Sequence, residues 1–326
     1  MKNPSTKTRV WLGSAVWIGV VVLTVPHVLH LAWAYAMLLF AALVLVPLAL
    51  DLVDADDDTL LAAEFFRMAH GLQLPAALLL ILAFVQPAGM KALACAAPWI
   101  ICTGLVATTG LLRILRRGIT PLSLLCRDVG LVFLAVGGGW LTCDRIGFRP
   151  LGFSPDIVLL TAIHFHFAGL ILPIITGRVV AEFSDVRFAA LVGYGVLSGV
   201  PLVAVGITAS QLGTGHGIEL FSTAWLAMAT MAVASMHLIL AAQRRWPMWV
   251  RAFWAIAACA LFFSMSLAVL YATRPYVMPI VWLDIPWMRA LHGTANVFGF
   301  ALPAVIAWRR TAYAQALIRE HKDSRK

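Results

Sequence analysis

The sequence predicts an all-α protein, a polytopic integral membrane bundle of about ten transmembrane helices. Apolar residues make up 62% of the 326 residues and charged residues only 12%, whereas soluble domains contain roughly 45–50% apolar and about 25% charged residues. The apolar residues occur in runs of about 20, the length of helix that crosses a bilayer. Too few polar residues remain to cover a soluble surface, so a large soluble helical core is disfavoured.

Ten segments are long enough and apolar enough to span a membrane. The first is short and contains Gly13 and Ser14. No A-x-A cleavage site follows it, so we interpret it as a retained helix and not as a signal peptide. The connections are short, which predicts a single transmembrane domain over residues 1–326 and no soluble domain. The predicted spans are 10–26, 29–50, 60–85, 92–113, 121–142, 157–177, 188–208, 219–242, 247–272 and 286–308.

The distribution of Lys and Arg predicts the orientation of these spans. With the N-terminus inside, only five of the 24 basic residues fall on the outside, and the other 19 fall on the inside. The five are Lys91, Arg145, Arg149, Arg274 and Arg289. The positive-inside rule therefore predicts that both termini are cytoplasmic. Topology accounts for the formal charge of +9, so the predicted partner is the lipid bilayer and not nucleic acid.

An acidic segment, DLVDADDDT (51–59), connects the second and third spans. Asp and Glu contribute little to orientation, so the segment is compatible with a cytoplasmic loop. We interpret it as a solvated loop, with weak cation binding as the alternative.

Histidines inside the spans are the main indication of function, because ionisable groups in hydrocarbon cost several kcal/mol unless they face the bundle interior. His164 and His292 each lie eight residues after an aspartate, or about 12 Å along a helix. A histidine layer is expected if the third, sixth and tenth spans are neighbours. His237 is interpreted as a satisfied interfacial residue. The candidate metal ligands are His70, His164, His166 and His292.

The HFH segment (164–166) has a geometry that limits its function. Residues i and i+2 of a helix lie about 200° apart, so His164 and His166 should point to opposite sides and cannot chelate one metal together. We interpret the pair either as a partition between two pockets or as one functional and one structural histidine.

A repeated pattern, G-[LF]-x-L-P, follows three of these positions: GLQLP (71–75), GLILP (169–173) and GFALP (299–303). Asn296 precedes its glycine by three residues, as His166 does. Proline removes a backbone hydrogen bond and kinks a helix, which frees a carbonyl upstream. A polar pocket at mid-depth is therefore predicted beside these kinks.

The third span adds a row of polar residues spaced three apart, Glu64, Arg67, His70 and Gln73. Glu64 and Arg67 can pair within one turn. With the histidines above and Asn296, this row completes the predicted pocket, which consists of Glu64, Arg67, His70, Gln73, His164, His166, His292 and Asn296.

Two of these segments resemble a known family. TAIHFHFAGLILP (161–173) resembles the H-F-H-[YF]-A-G-[FL]-x-L-P segment of the YndJ-like family of bacterial membrane proteins. RMAHGLQLP (67–75) is similar to an R-x-A-H-x-L-P segment of that family, with a glycine and a glutamine between His and Leu-Pro. The resemblance extends over most of the chain. It implies a multi-pass protein of the bacterial inner (plasma) membrane and no particular biochemical activity.

HFHF (164–167) also resembles the HFHY segment of haem-copper oxidase catalytic subunits, in which two histidines ligate two haems on opposite sides of one helix. AHGL (69–72) is similar to another haem-ligating segment there. This resemblance implies haem or a metal as cofactor. The chain departs from that family in having ten predicted spans and in lacking an H-P-E-V-Y-like segment and an adjacent His-His pair, which puts a copper centre in doubt.

Three functions follow from these observations. The first is a YndJ-like membrane protein whose histidine-lined pocket binds haem or a metal. The second is a transporter or permease in which intramembrane His, Glu and Arg bind a small molecule or relay protons, since imidazole titrates near neutral pH. The third is a membrane enzyme that acts on a lipid or isoprenoid, with His and Glu64 as acid and base.

Overall fold

The computed structural model describes residues 5–24, 31–53, 59–277 and 282–323, with side chains described as far as residue 312. These residues form helices without strands, and ten helices are long and apolar enough to cross a membrane. They are α1 (Thr6–Thr24), α2 (Trp33–Leu50), α3 (Leu60–Val85), α4 (Met90–Arg117), α5 (Leu122–Ile146), α6 (Pro155–Glu182), α7 (Arg187–Gln211), α8 (Gly217–Ala242), α9 (Met248–Ala272) and α10 (Ile285–Ala312). Helical backbone continues from α10 to Asp323. The predicted polytopic helix bundle is confirmed, and the orientation of the termini stays a prediction.

The chain divides into two compact units, unit 1 from Met1 to Gly177 and unit 2 from Arg178 to Lys326. In unit 1, α2 is the central helix because it contacts α1, α3 and α6, and 89% of its membrane-length window is buried. The helices α3, α4, α5 and α6 pack in chain order. In unit 2, α7 to α10 also pack in chain order. The single transmembrane domain over residues 1–326 stays a prediction.

Three helices widen locally into π-helical turns, which lie at Ala41–Leu45 in α2, at Phe165–Ile171 in α6, and at Met288–Gly293 and Ala295–Ala301 in α10. In each helix a proline stands two residues after a π segment, namely Pro47, Pro173 and Pro303. A proline lacks the N–H that would bond residue i−4, and its ring clashes with that carbonyl. A wider turn relieves both problems.

The three G-x-x-L-P segments do not share one backbone. GLILP and GFALP overlap π segments, whereas α3 stays α-helical through Pro75. A kink was predicted at all three prolines, and the backbone is irregular at two of the three positions. The acidic residues 54–58, predicted as part of a solvated loop, lie outside the described residues.

Candidate functional site

A buried arginine near the start of α1 organises a polar site in unit 1, here called the Arg9 site, which consists of Thr6, Arg9, His70 and Gln73. Arg9 is only 4% exposed and Gln73 is fully buried. The guanidinium donates to the His70 carbonyl at 2.9 Å and to Oε1 of Gln73 at 3.4 Å. It also bonds Nδ1 of His70 at 2.8 Å and Oγ1 of Thr6 at 2.9 Å. One cation thus joins α1 to α3.

These bonds define the state of the His70 ring. A guanidinium can only donate hydrogen bonds, so Nδ1 of His70 accepts from Arg9, and the neutral ring carries its proton on Nε2. The ring also packs edge-on against Phe66 at 4.5 Å between centroids. His70 therefore serves in the site as an acceptor for Arg9.

Gln73 connects the Arg9 site to the π segment of α2. Its Nε2 donates to the carbonyl of Ala42 at 2.8 Å, and Ala42 lies within the widened turn. Buried carbonyls that lack a backbone partner need another donor, and the side-chain amide of Gln73 provides one. The same side chain accepts from Arg9 through its oxygen, so both ends of the amide are used.

The close approach of α1 to α2 lets Arg9 reach these partners. A Cβ built at Gly13 would collide with the carbonyl oxygen of Leu43, which belongs to the π segment of α2. Any larger residue at position 13 would push α1 outward. Gly13 lies one turn beyond Arg9 and so sets the depth at which the guanidinium enters the unit.

One donor of Arg9 is left over. Among the described residues, Nε of Arg9 has no hydrogen-bond partner although it is buried. Every hydrogen bond of this guanidinium goes to a neutral group. A carboxylate is connected to the guanidinium through Thr6, whose hydroxyl donates to Asp51 at 2.6 Å. Buried unsatisfied donors are rare in proteins and call for an explanation such as an ion or a ligand.

His166 is fully buried, and both of its ring nitrogens are bonded. Nε1–H of Trp99 donates to Nε2 of His166 at 3.1 Å, so Nδ1 carries the proton and donates to the carbonyl of Ala162 at 2.8 Å. The two rings stack at 6.0 Å between centroids. His164, on the same helix, is half-buried.

His292 and Asn296 form a second bonded group, in unit 2. Nδ1–H of His292 donates to the carbonyl of Ser264 at 2.8 Å, and Nε2 accepts from the Asn296 amide at 3.2 Å. Oδ1 of Asn296 in turn accepts from the Ser264 hydroxyl at 3.0 Å. These bonds attach α10 to α9.

Two histidines of this set, His166 and His292, do not fit haem or metal ligation as they stand. A ligating histidine offers one ring nitrogen to the metal, and at His166 and His292 both nitrogens are engaged. Within the described part of the chain, no group of three or more His, Cys, Asp or Glu residues is arranged to hold a metal ion. His70, His164 and His166 belong to unit 1 and His292 to unit 2, so the single layer of four histidines stays a prediction.

The first two residues of the predicted polar row, Glu64 and Arg67, lie away from the Arg9 site. Glu64 and Arg67 pair at 3.2 Å, with side chains 58% and 70% exposed. Only His70 and Gln73 of this row reach the buried network. Position on the helix explains the division, since residues three apart rotate steadily around the axis.

Sequence reasoning missed Arg9 as a site residue and treated it as one of the basic residues before the first span. The available signal is its position one residue before that span, with Thr6 one turn earlier. It also missed Trp99 and Trp308 as histidine partners. Trp308 donates to Nε2 of His237 at 3.0 Å, and Nδ1 of His237 bonds the carbonyl of Val233 at 2.9 Å.

Comparison with known proteins agrees with this architecture. Residues 36–300 match the family model described as YndJ-like protein. Over 182 residues the chain is 27% identical to the "Uncharacterized membrane protein YndJ" of Bacillus subtilis (strain 168), and the alignment covers 55% of this chain and 32% of that relative. The chain thus spans about a third of the length of the curated relative it matches. No solved structure matches it. The ten membrane-length helices and the family match together confirm a multi-pass membrane protein, and the chain belongs to the YndJ-like family.

Proposed function

We propose that this protein is a permease-type membrane protein that binds a small anionic solute at the Arg9 site. The observation that carries the proposal is the buried Nε of Arg9, which has no acceptor among the described residues. A guanidinium is always charged and presents its donors in a fixed fork that suits a carboxylate or another small oxyanion. Ionisable residues inside membrane bundles mark solute and proton pathways.

The surroundings of Arg9 support an anion more than a cation. Its hydrogen-bonded partners Thr6, His70 and Gln73 are neutral, so the positive charge is not cancelled by direct contact. Thr6 is half-buried and Asp51 is exposed, so a polar route connects the guanidinium to the surface. His70, neutral and protonated on Nε2, can donate a second hydrogen bond to a bound solute.

The backbone around the Arg9 site also resembles that of transporter sites. Such sites form where membrane helices are interrupted, because backbone N–H and C=O groups that are not bonded within the helix can then bind a solute. The π segment Ala41–Leu45 lies beside the site and bonds it through Gln73. A solute that accepts from the free Nε of Arg9 would bind the same guanidinium that bonds Gln73, and Gln73 in turn bonds the Ala42 carbonyl.

The proposed setting is the bacterial inner (plasma) membrane with both termini cytoplasmic. The excess of basic residues in the segments assigned to the inside supports this orientation. With this orientation the Arg9 site opens towards the cytoplasm, since Thr6 and Asp51 are then on the inner side.

Thermal unfolding of the purified protein in detergent tests the proposal. Sodium formate, acetate, nitrate and chloride are titrated at constant ionic strength, made up with sodium gluconate. A ligand at 100 times its Kd stabilises the folded state by about 2.7 kcal/mol. We expect saturable stabilisation by at least one of the four anions, and uptake of that anion, isotopically labelled, into proteoliposomes.

Arg9→Gln is the test variant, and Arg67→Gln is its matched control because Arg67 is an exposed arginine that pairs with Glu64. We expect stabilisation and uptake to be lost in Arg9→Gln and kept in Arg67→Gln. Equal responses of the two variants, or no saturable response of the wild type to any of the four anions, would contradict the proposal.

The two other functions have less support. Haem or metal binding at His166 or His292 needs a free ring nitrogen, and the bonds of these two residues use both of theirs. A membrane enzyme with Glu64 as its acid or base would need this carboxylate near a histidine, whereas Glu64 is exposed and paired with Arg67. We therefore propose the permease and keep the other two as predictions.

A further inference from the structure

A buried carboxylate of unit 2 lies where α8 begins and α9 ends. Glu219 is in the first turn of α8 and is only 7% exposed. Its Oε1 accepts from Nη1 of Arg274 at 3.1 Å, so the ion pair joins the two helix ends. The first turn of a helix is a favourable position for a carboxylate, because the backbone N–H groups there are positive. We call the pair of Glu219 and Arg274 the Glu219 site.

The second oxygen of this carboxylate has no donor. Oε2 of Glu219 is buried and makes no hydrogen bond within the described part of the chain. Nδ1 of His216 lies 3.7 Å away, which is too long for a hydrogen bond, and it bonds the Ser210 hydroxyl at 2.6 Å instead. A buried carboxylate oxygen without a donor is costly. Oε2 is therefore a position at which a ligand with an N–H donor fits.

Arg274 has donors left over on the accessible side of the ion pair. Nη1 bonds both Glu219 and the carbonyl of Tyr271, the latter at 2.9 Å, while Nε and Nη2 make no hydrogen bond to the described residues. The side chain is 35% exposed. Its guanidinium lies 3.8 Å from the centroid of the Tyr271 ring, a contact that limits rotation of its plane. A guanidinium with a free edge binds a carboxylate or a phosphate through two parallel hydrogen bonds.

The charges of the Glu219 site indicate a ligand that carries both signs. The carboxylate and the guanidinium compensate each other, so neither a free anion nor a free cation is strongly attracted to the pair. A primary ammonium offers three N–H donors and suits Oε2, whereas an oxyanion suits the free edge of Arg274. A zwitterion satisfies both groups at once.

Exposed apolar side chains flank the Glu219 site. Ile218 and Phe221, close to Glu219 on α8, are 46% and 62% exposed, and Leu212 at the end of α7 is 58% exposed. In a membrane bundle such side chains face lipid chains, so a zwitterion with an apolar tail fits this surface better than a free solute. With the orientation predicted from the basic residues, this end of unit 2 lies at the outer surface of the membrane, among lipid head groups.

We infer that the Glu219 site binds a zwitterionic phospholipid head group with a primary ammonium, as in phosphatidylethanolamine. The ammonium donates to Oε2 of Glu219, and the phosphate accepts from Nε and Nη2 of Arg274. The half-exposed ring of His216 turns aside to admit the ammonium, since its hydrogen bond to Ser210 is its one tie to the described residues. This binding is independent of the solute site proposed at Arg9, because it uses residues of unit 2 and another class of ligand.

Native mass spectrometry of the full wild-type chain in detergent tests the inference, with dioleoylphosphatidylethanolamine and dioleoylphosphatidylcholine as the probes. The two lipids share their acyl chains and their phosphate, but the choline nitrogen has no N–H to donate to Oε2. We expect at least a tenfold tighter affinity for the ethanolamine lipid. Equal affinities would overturn the inference, and this comparison needs no variant that has to fold.

Glu219→Gln is the test variant, and Glu182→Gln is its matched control, because Glu182 is another carboxylate of unit 2 that pairs with an arginine, Arg245. We expect the preference for the ethanolamine lipid to disappear in Glu219→Gln and to remain in Glu182→Gln. A tenfold preference that persists in Glu219→Gln would contradict the assignment of the ammonium.

Thermal unfolding of lipid-free Glu219→Gln within a few degrees of the wild type shows that the fold is kept. If it is not, Arg274→Gln serves as the test variant, since Arg274 is partly exposed. Its affinity for both lipids should fall at least tenfold, because both carry the phosphate. Unchanged affinities in Arg274→Gln would overturn the inference.

Two soluble competitors identify the source of the head group. O-phosphoethanolamine at millimolar concentration has the same charged groups without acyl chains, and it should displace the ethanolamine lipid only if the head group alone is sufficient for binding. No displacement means that the ligand is held as a lipid, and either result agrees with recognition of the zwitterion. Displacement by inorganic phosphate at the same concentration would show that the ammonium is not recognised and would overturn the inference.

Discussion

The two units each contain a buried histidine held by a tryptophan, and the two pairs differ in how the rings are supported. In both, the tryptophan donates to Nε2 and the histidine donates through Nδ1 to the carbonyl four residues earlier. Trp99 stacks on His166 with an interplanar angle of 18°, whereas Trp308 meets His237 edge-on at 75°. The bond pattern is the same although the packing around it is not.

Comparing the surroundings of His166 and His237 shows what structural role the HFH segment has. His166 lies in a π segment and touches a glycine, and His237 lies in a regular α-helix. The tryptophans lie 67 and 71 residues away along the chain, so each pair fixes a long-range helix contact. A histidine in a membrane helix can therefore serve to join helices, and the conspicuous motif and the inconspicuous His237 make the same kind of bond.

Removing the histidine should have the largest effect in both units. His166→Ala and His237→Ala each leave a cavity and a buried indole N–H without an acceptor, which together should cost about 2–4 kcal/mol. Thermal unfolding in detergent measures the loss. His216→Ala is the control, because His216 is 47% exposed. A loss at His166 no larger than at His216 would mean that the Trp99 bond contributes little.

Removing only the tryptophan donor should have a smaller effect. Trp99→Phe leaves Nε2 of His166 without its partner, and Trp308→Phe does the same at His237, at a cost of about 1–3 kcal/mol each. Adding His166→Phe to Trp99→Phe removes both polar groups, so the double variant should lose less than the sum of the two single changes. Strict additivity would show that the two rings do not interact.

A substitution at Gly137 should affect only the pair of His166 and Trp99, because Gly137 lies against the His166 ring. A Cβ at position 137 would lie 2.8 Å from Nδ1 of His166, and this ring cannot move without losing its bonds. Gly137→Ala should therefore cost about 1 kcal/mol, the lower end of the usual penalty for overpacking. Gly139→Ala, on the same helix with no neighbour within 4 Å, is the control. Equal unfolding temperatures of Gly137→Ala and Gly139→Ala would mean that unit 1 tolerates movement of His166.

The smallest effect is expected at the exposed pair of α3. Glu64→Gln and Arg67→Gln each break an ion pair whose members are 58% and 70% exposed. Exposed pairs contribute little, so each change should shift stability by less than about 0.5 kcal/mol. A large loss in either variant would show that these side chains are covered by another molecule in the membrane.

The sequence predicts the helices better than their contacts. The third span was predicted at residues 60–85 and is observed at Leu60–Val85, because the length of an apolar run is a property of one segment alone. The π segments were not predicted, since they depend on how a proline-containing turn packs against its neighbours. Pro47 and Pro75 both lie in apolar helices, yet only the turn before Pro47 is widened.

The candidate site was predicted in part. His70 and Gln73 were chosen because they are polar within a span, and they contribute to the Arg9 site. Arg9 was not chosen, because an arginine at the start of a span usually reaches water with its long side chain. Its burial depends on the packing of α2 and α3 around it, and the residues next to Arg9 in the sequence do not predict this packing.

The partners of Arg9 have a consequence for the order in which the protein assembles. Apart from Thr6, they lie 61 and 64 residues later in the chain, so during synthesis the first helix enters the membrane before most of the groups that receive its cation exist. Until the third helix arrives, Arg9 must remain in the headgroup region, where its charge is hydrated. The first helix therefore reaches its final depth only after the third has been inserted.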